Sequence, residues 1–171
     1  VRQLEVFFDY ACPYCLKGFA FLQELSGKYP GVELHFIPVE AHPRPEQHGL
    51  HTDLCAQGMY AAADMGMDLW DYHQRMYKAA INDGVNIESA EALSGALGEA
   101  LDAKRFSEAL KSHIYADQIE RNNHQAYDEC GVWAVPSFIL SDGRRLDARE
   151  GVGIQFKELE DLMRSAATPE S

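Results

Sequence analysis

Residues 4–15 read Leu4-Glu5-Val6-Phe7-Phe8-Asp9-Tyr10-Ala11-Cys12-Pro13-Tyr14-Cys15. The stretch from residue 4 to residue 9 is apolar on both faces, the pattern of a strand central in a sheet. A helix is expected to begin directly after it. Leu16, Phe19, Leu22 and Leu25 recur every three residues, Tyr29 follows, and Pro30-Gly31 closes the segment. Pro13 suits the first helical turn, where its missing N–H costs nothing. Val32, Leu34 and Phe36 then alternate with Glu33 and His35, the period of a second strand. Strand, helix and strand in so short a span make a βαβ unit with parallel strands and a right-handed crossover.

Residues 39–50 are rich in Pro, His and Glu and read as a loop. Beyond them the strand signal disappears. Leu69, His73, Met76 and Ala80 share one helical face, with Asp68 as its N-cap. Leu93, Leu97 and Leu101 share a second. Tyr115, Ile119, Asn122, Ala126 and Cys130 share a third, and Gly131 suits the left-handed position after its end. Strand character returns at 137–140, Asp142-Gly143 marks a hairpin turn, and 144–149 is the expected return strand. Phe156, Leu159, Leu162 and Ala166 line a last helix, and residues 168–171 are expected to fray. The order is βαβ, helical block, ββα. We divide it into a core of residues 1–50 and 131–171, one mixed sheet with helices on both faces, and an inserted α-helical domain of residues 51–130.

The composition narrows the functions available. The chain has 171 residues, 46% hydrophobic and 25% charged, ordinary for one globular domain able to bury its own core. The longest uncharged apolar-rich run, 131–140, is about half the ~20 residues of a membrane span. Acidic residues outnumber basic ones 27 to 15, a formal charge of −12, and no run of five Lys or Arg occurs. Nucleic acid and anionic membranes are poor partners for such a surface. Four cysteines, Cys12, Cys15, Cys55 and Cys130, are too few for a disulfide scaffold. Lone cysteines and the absence of a basic-then-apolar leader point to the cytoplasm rather than to export, with a leader removed before Val1 left open.

The chemistry resides in Cys12-Pro13-Tyr14-Cys15, at the junction of strand and helix. The first N–H groups of a helix lack internal partners, and its dipole favours negative charge there. A Cys12 thiolate gains from both. Helix N-termini and CxxC contexts lower a thiol pKa from ~8.5 to ~3.5–7.5. Cys15, one turn further in, is less exposed and can close a small disulfide or resolve a mixed one. Cys12 is therefore the candidate nucleophile and Cys15 the resolving thiol. A zinc half-site would need a second CxxC or a His pair at ligand spacing, and neither is found. His42, His48 and His51 read as a solvated loop. Cys55 and Cys130 read as inert buried thiols, although a second disulfide between them stays open. Trp70 and Trp133 read as core or cleft-wall residues.

A second signal, Val135-Pro136-Ser137, precedes the third strand. Taken with the CPYC segment, the long helical block and the Gly-containing entry to the last helix, it makes the chain resemble the DsbA-like thioredoxin-fold proteins over nearly its whole length. Asp9, three residues before Cys12, and the missing leader resemble the FrnE-like branch of that group. The resemblance implies an α/β thioredoxin fold split by an all-α insertion. It implies thiol–disulfide oxidoreductase or isomerase activity, with protein or small-molecule thiols and disulfides as partners. It implies no cofactor beyond the redox-active disulfide, with glutathione as a conceivable co-substrate. It also makes Pro136 a cis-proline facing Cys12 and Cys15, preceded by Val135. Pro13, Tyr14, Val135 and Pro136 would then contact substrate. Relatives often carry an acidic proton shuttle six positions before the first cysteine. Here that position is Val6, so Asp9, Glu40 or water would serve. The dipeptide Pro-Tyr, also seen in glutaredoxins, replaces the Pro-His of strongly oxidising relatives and argues against a strongly oxidising potential. Two other functions share these features: a glutathione-dependent isomerase or transferase, which usually has serine where Cys12 stands, and a non-catalytic redox-sensing module. The oligomeric state is not legible in the sequence.

Overall fold

A computed structural model describes residues 2–167; the tail expected to fray lies outside them. Strand β1 spans Arg2–Phe8, helix α1 Pro13–Lys28 and strand β2 Val32–Pro38. Helices α2 (Asp53–Asp64), α3 (Leu69–Tyr77), α4 (Ala90–Leu97), α5 (Ala103–Ser112) and α6 (Ala116–Asn123) follow. Strands β3 (Ser137–Leu140) and β4 (Arg145–Asp147) and helix α7 (Phe156–Ala167) complete the chain. The strands form one sheet in the order β2-β1-β3-β4. β1 pairs parallel with β2 and antiparallel with β3, placing Val6 between Phe36 and Phe138. The sheet is mixed and β1 is central, as its two-sided apolar sequence requires.

Alternation along β1 divides the core. Leu4, Val6 and Phe8 face one way and pack with Phe19, Leu22 and Leu25 of α1 and Leu159 and Met163 of α7. Phe7 faces the other way, with Ile37, Val39 and Ile139 beneath Ala126 and Val132. Glu5, on that second face, accepts a hydrogen bond from Gln125 Nε2 at 2.9 Å. Each fully buried Leu or Phe contributes roughly 1.5–3 kcal/mol. The larger of the two clusters continues without a break into the helical block through Tyr72, Met76, Leu93, Phe106 and Leu110.

Several boundaries differ from the sequence reading. β1 stops at Phe8, because the Asp9 carboxylate accepts backbone N–H bonds from Ala11 and Ala41 and turns the chain out of the sheet. The return strand is only Arg145–Asp147, not 144–149. Leu101 lies beyond the second helical face, which ends at Leu97 and passes into a single 3₁₀ turn. Helix α5 is a further element between the second and third helical faces, where Asp102 caps it through the Arg105 N–H and Phe106 and Leu110 line its buried face. The N-cap at Asp68 is present, accepting from the Asp71 N–H. The third stripe is α6 continued by a π-helical turn, His124–Glu129, and Gly131 follows with a φ of 63°.

Candidate active site

The α1 N-terminus is built around Cys12. Its backbone is extended, with φ −94° and ψ 116°, so it occupies the N-cap, with Pro13 at N1, Tyr14 at N2 and Cys15 at N3. Caps of this kind normally present an oxygen to the N2 or N3 N–H. Here the only side chain at that place is a thiol, and no acidic residue lies in the first turn to compete. Ionised sulfur therefore takes the acceptor's role. The Cys15 thiol is the largest influence lowering the Cys12 pKa, followed by the backbone N–H groups of Cys15 and Tyr14; burial opposes them, and the result is about 7. Cys15 is buried, and desolvation pushes its pKa well above the ordinary value. One thiol of the pair is poised to ionise near neutrality, and the other holds its proton.

The β3 entry closes over this pair from 123 residues away, where the Cys12 thiol donates to the Val135 carbonyl at 3.8 Å. The Val135–Pro136 peptide is cis. Ser137 Oγ lies 2.7 Å from Asp147 Oδ1, and Ala148 N–H donates to the Pro136 carbonyl, so β4 fixes the turn. A Cβ on Gly18 would meet the Pro136 ring at 3.4 Å, so α1 packs directly against this proline.

A groove of about 370 Å³ runs past Cys12, lined by Asp9, Pro13, Tyr14, His42, Leu50 and Val135 among others. Tyr14 and Leu50 are exposed large apolar residues on it. The Tyr14 ring lies over Gly153, where a Cβ would come within 2.9 Å of it. Of the residues singled out in the sequence, Asp9, Cys12, Pro13, Tyr14 and Val135 thus share one groove. Pro136 is placed elsewhere, lining a small apolar cavity behind Cys15.

Asp9 is 2% exposed, and burial raises its pKa against the lowering effect of its two backbone donors. The Thr52 hydroxyl lies close enough to lower it further without forming a well-angled hydrogen bond. The Asp9 charge in turn raises the pKa of both Cys12 and Cys15. Glu40 is separate: its carboxylate accepts from Asn123 at 3.2 Å and lines a different groove, although burial also raises its pKa. Val6, at the position where relatives carry the acid, is buried in the apolar cavity.

Of the other singled-out residues, His42 lines the Cys12 groove and the rest lie apart from the pair. Cys55 is buried in the larger core cluster, whereas Cys130 is only partly buried and packs on the opposite sheet face, so the two do not meet. Trp133 is exposed, while Trp70 packs against the rings of Phe19 and Phe36. His42 pairs with Glu46 at 2.9 Å. Among the described residues no group of three or more His, Cys, Asp and Glu is placed to hold a metal ion. Sequence reasoning gave no role to His73 beyond a helix face. The structure buries it on the wall of the cavity that Cys15 also lines, a placement that carries no local signal.

Residues 3–164 match the model of the DSBA-like thioredoxin domain. The chain belongs to that family. It is 27% identical over 176 residues to the uncharacterized protein YwbO of Bacillus subtilis (strain 168), covering 81% of this chain and 86% of that one. Among solved structures it is similar to a probable DsbA oxidoreductase from Streptomyces coelicolor, with a TM-score of 0.80 at 17% identity over 100% of this chain and 93% of the other. It is also similar to Chlamydia trachomatis DsbA, with a TM-score of 0.73 at 16% identity over 96% and 85%. The α/β thioredoxin fold with a helical insertion, shared with these DsbA-type neighbours, agrees with the topology above. Membership of the DSBA-like family places the chain in the general class of thiol–disulfide oxidoreductases. No helix among the described residues is long and apolar enough to cross a membrane.

Proposed function

We propose that this DSBA-like protein exchanges disulfides through Cys12 as nucleophile and Cys15 as resolving thiol. The observation that carries the reading is the placement of the two thiols, Cys12 at the N-cap of α1 on the groove and Cys15 buried one turn in, which draws the Cys12 pKa down to about 7 and pushes that of Cys15 well above the ordinary value. About half of Cys12 is then thiolate at pH 7, against a few per cent of a free thiol.

The Cys12 thiolate attacks one sulfur of a substrate disulfide, forming a Cys12–S–S–R bond and expelling the other substrate thiolate. Cys15 then loses its proton, attacks the Cys12 sulfur and releases the second substrate thiolate. The substrate gains two electrons as the Cys12–Cys15 disulfide forms. The Asp9 carboxylate, buried in the same groove, takes the Cys15 proton and passes it to the departing thiolate. Tyr14, Leu50 and Val135 offer an apolar rim and a backbone edge to an extended thiol- or disulfide-bearing segment. The same steps in reverse oxidise a dithiol.

The test is mixed-disulfide trapping. Cys15→Ser should capture oxidised glutathione or a peptide disulfide as a lasting adduct on Cys12, because the resolving thiol is gone. Cys12→Ser should capture little. Equal capture by both variants would refute the assignment of roles.

A further inference from the structure

Beside Cys15 lies a partly open cavity of about 10 Å³, at the threshold for holding a single water molecule. Its walls are almost entirely apolar: Val6, Phe8, Phe19, Phe36, Pro136 and Phe138 among others. Cys15, His73 and Tyr77 are the lining residues whose side chains carry hydrogen-bonding atoms, Cys15 from α1 and the other two from α3.

His73 is fully buried, and its Nδ1 lies 2.8 Å from the Tyr10 hydroxyl. Its Nε2 has no hydrogen-bond partner among the described residues. Burial drives its pKa down to about 3, so the ring is neutral and carries one N–H. The tautomer follows from counting unmet donors. If Nδ1 held the proton and donated to Tyr10, the tyrosine O–H and the Nε2 lone pair would both be stranded. If Tyr10 donates to Nδ1, the proton sits on Nε2 and only that N–H lacks a partner. An unmet buried donor costs about 1–3 kcal/mol, and Tyr10, which fixes the other edge of the ring, does not line the cavity.

We propose that one water in this cavity accepts from His73 Nε2–H and donates to the Cys15 sulfur, so that His73 acts as a positioning residue that stabilises the Cys15 thiolate during resolution. The proposal deepens the disulfide-exchange reading above and rests on it. His73 takes no proton in the step; a ring so hard to protonate is a poor base and a good donor. The proton leaves Cys15 for Asp9, the sulfur's electron pair forms the bond to Cys12, and the substrate thiolate leaves. The charged and titratable groups bearing on Cys15 are Cys12, Asp9, Tyr77 and Tyr127, and burial holds both tyrosines protonated. At this step Cys12 is bonded in the mixed disulfide and carries no charge, but Asp9 still opposes ionisation of Cys15, which makes a neutral donor to its sulfur consequential.

The experiment follows oxidised glutathione reacting with the full chain, quenched in acid and resolved by mass. Formation of the Cys12–glutathione adduct reports the first step and its disappearance the second. His73→Phe should leave adduct formation within twofold and slow its resolution at pH 7, with the resolution profile displaced to higher pH. The slowing should be about threefold per pKa unit, because a tenfold loss of thiolate is partly offset by its greater nucleophilicity. His73→Gln, which restores an N–H donor, should recover most of the rate. An unmoved profile in folded His73→Phe, or no recovery with Gln, overturns the role. Should His73→Phe not fold, ¹⁵N chemical shifts of the wild-type imidazole decide: the Nε2–H tautomer supports the proposal and the Nδ1–H tautomer overturns it. Absence of any adduct on wild-type Cys12 would instead refute the disulfide-exchange reading itself, and His73's role with it.

Discussion

The backbone N–H of Asp9 donates to the sulfur of Cys15 at 3.5 Å, while the Asp9 carboxylate accepts from Ala11 and Ala41. One residue therefore touches the resolving thiol through its main chain and biases both thiols through its charge. Main-chain contact favours the Cys15 thiolate, and the carboxylate opposes it. Asp9 stands three positions before Cys12, a spacing set by the turn out of β1, where Cys12 N–H donates to the Asp9 carbonyl at 3.2 Å.

Alkylation of Cys12 should show that its thiolate forms near neutrality. In reduced wild type, where Cys15 holds its proton, the iodoacetamide rate should rise about tenfold per pH unit below 7. It should level off above 8, in step with the thiolate population. A midpoint at 8.5 or higher would show that neither the Cys15 thiol nor the helix N-terminus stabilises this thiolate.

Asp9→Asn should change stability in a pH-dependent way. A carboxyl whose folded pKa is raised adds stability below its unfolded value of 3.8, and that contribution is lost as pH rises through the folded pKa. Wild type should therefore lose ground to Asp9→Asn in denaturant melts as pH rises above about 4. Superimposed on this is a pH-independent cost of about 1–3 kcal/mol, because Asn cannot accept both backbone donors. A difference constant with pH would mean that Asp9 is not held up by burial. The same variant should lower the Cys12 pKa, since the Asp9 charge raises it.

Pro136→Ala should weaken disulfide exchange more than it weakens folding. The proline ring packs on Gly18 and lines the cavity that Cys15 also lines, and alanine both removes that ring and adds a backbone N–H at the β3 entry. The comparison is turnover in an insulin-reduction assay against the denaturation midpoint. Equal proportional losses in the two would make Pro136 a purely structural residue.

Replacing Cys55 and Cys130 together with alanine should leave exchange within a few-fold of the parent. They occupy different clusters on the two sides of the sheet and neither contacts the Cys12–Cys15 pair in a hydrogen bond among those described. Cys55, fully buried, should account for most of a stability loss of about 1 kcal/mol from the small cavity created. Loss of exchange with an intact fold would make one of them a relay thiol.

The sequence by itself determined the features that act within a few residues. An apolar strand, a proline at the first helical position and cysteines one turn apart place Cys12 at a helix N-cap, and no distant contact is needed for that. Alternation in β2, the Asp142-Gly143 turn and the caps at Asp68 and Gly131 were legible for the same reason: turns, caps and periodicity are local. The tertiary structure decided the rest. It joined Val135 to Cys12 across 123 residues, turned Glu40 toward Asn123 and kept Asp9 in the groove with Cys12. It also seated His73 against the cavity behind Cys15. Those outcomes depend on which apolar faces bury one another, and burial also sets the ionisation of Asp9, Cys15 and His73. A local pattern contains neither quantity, because desolvation is a property of everything packed around a group and not of its neighbours in the chain.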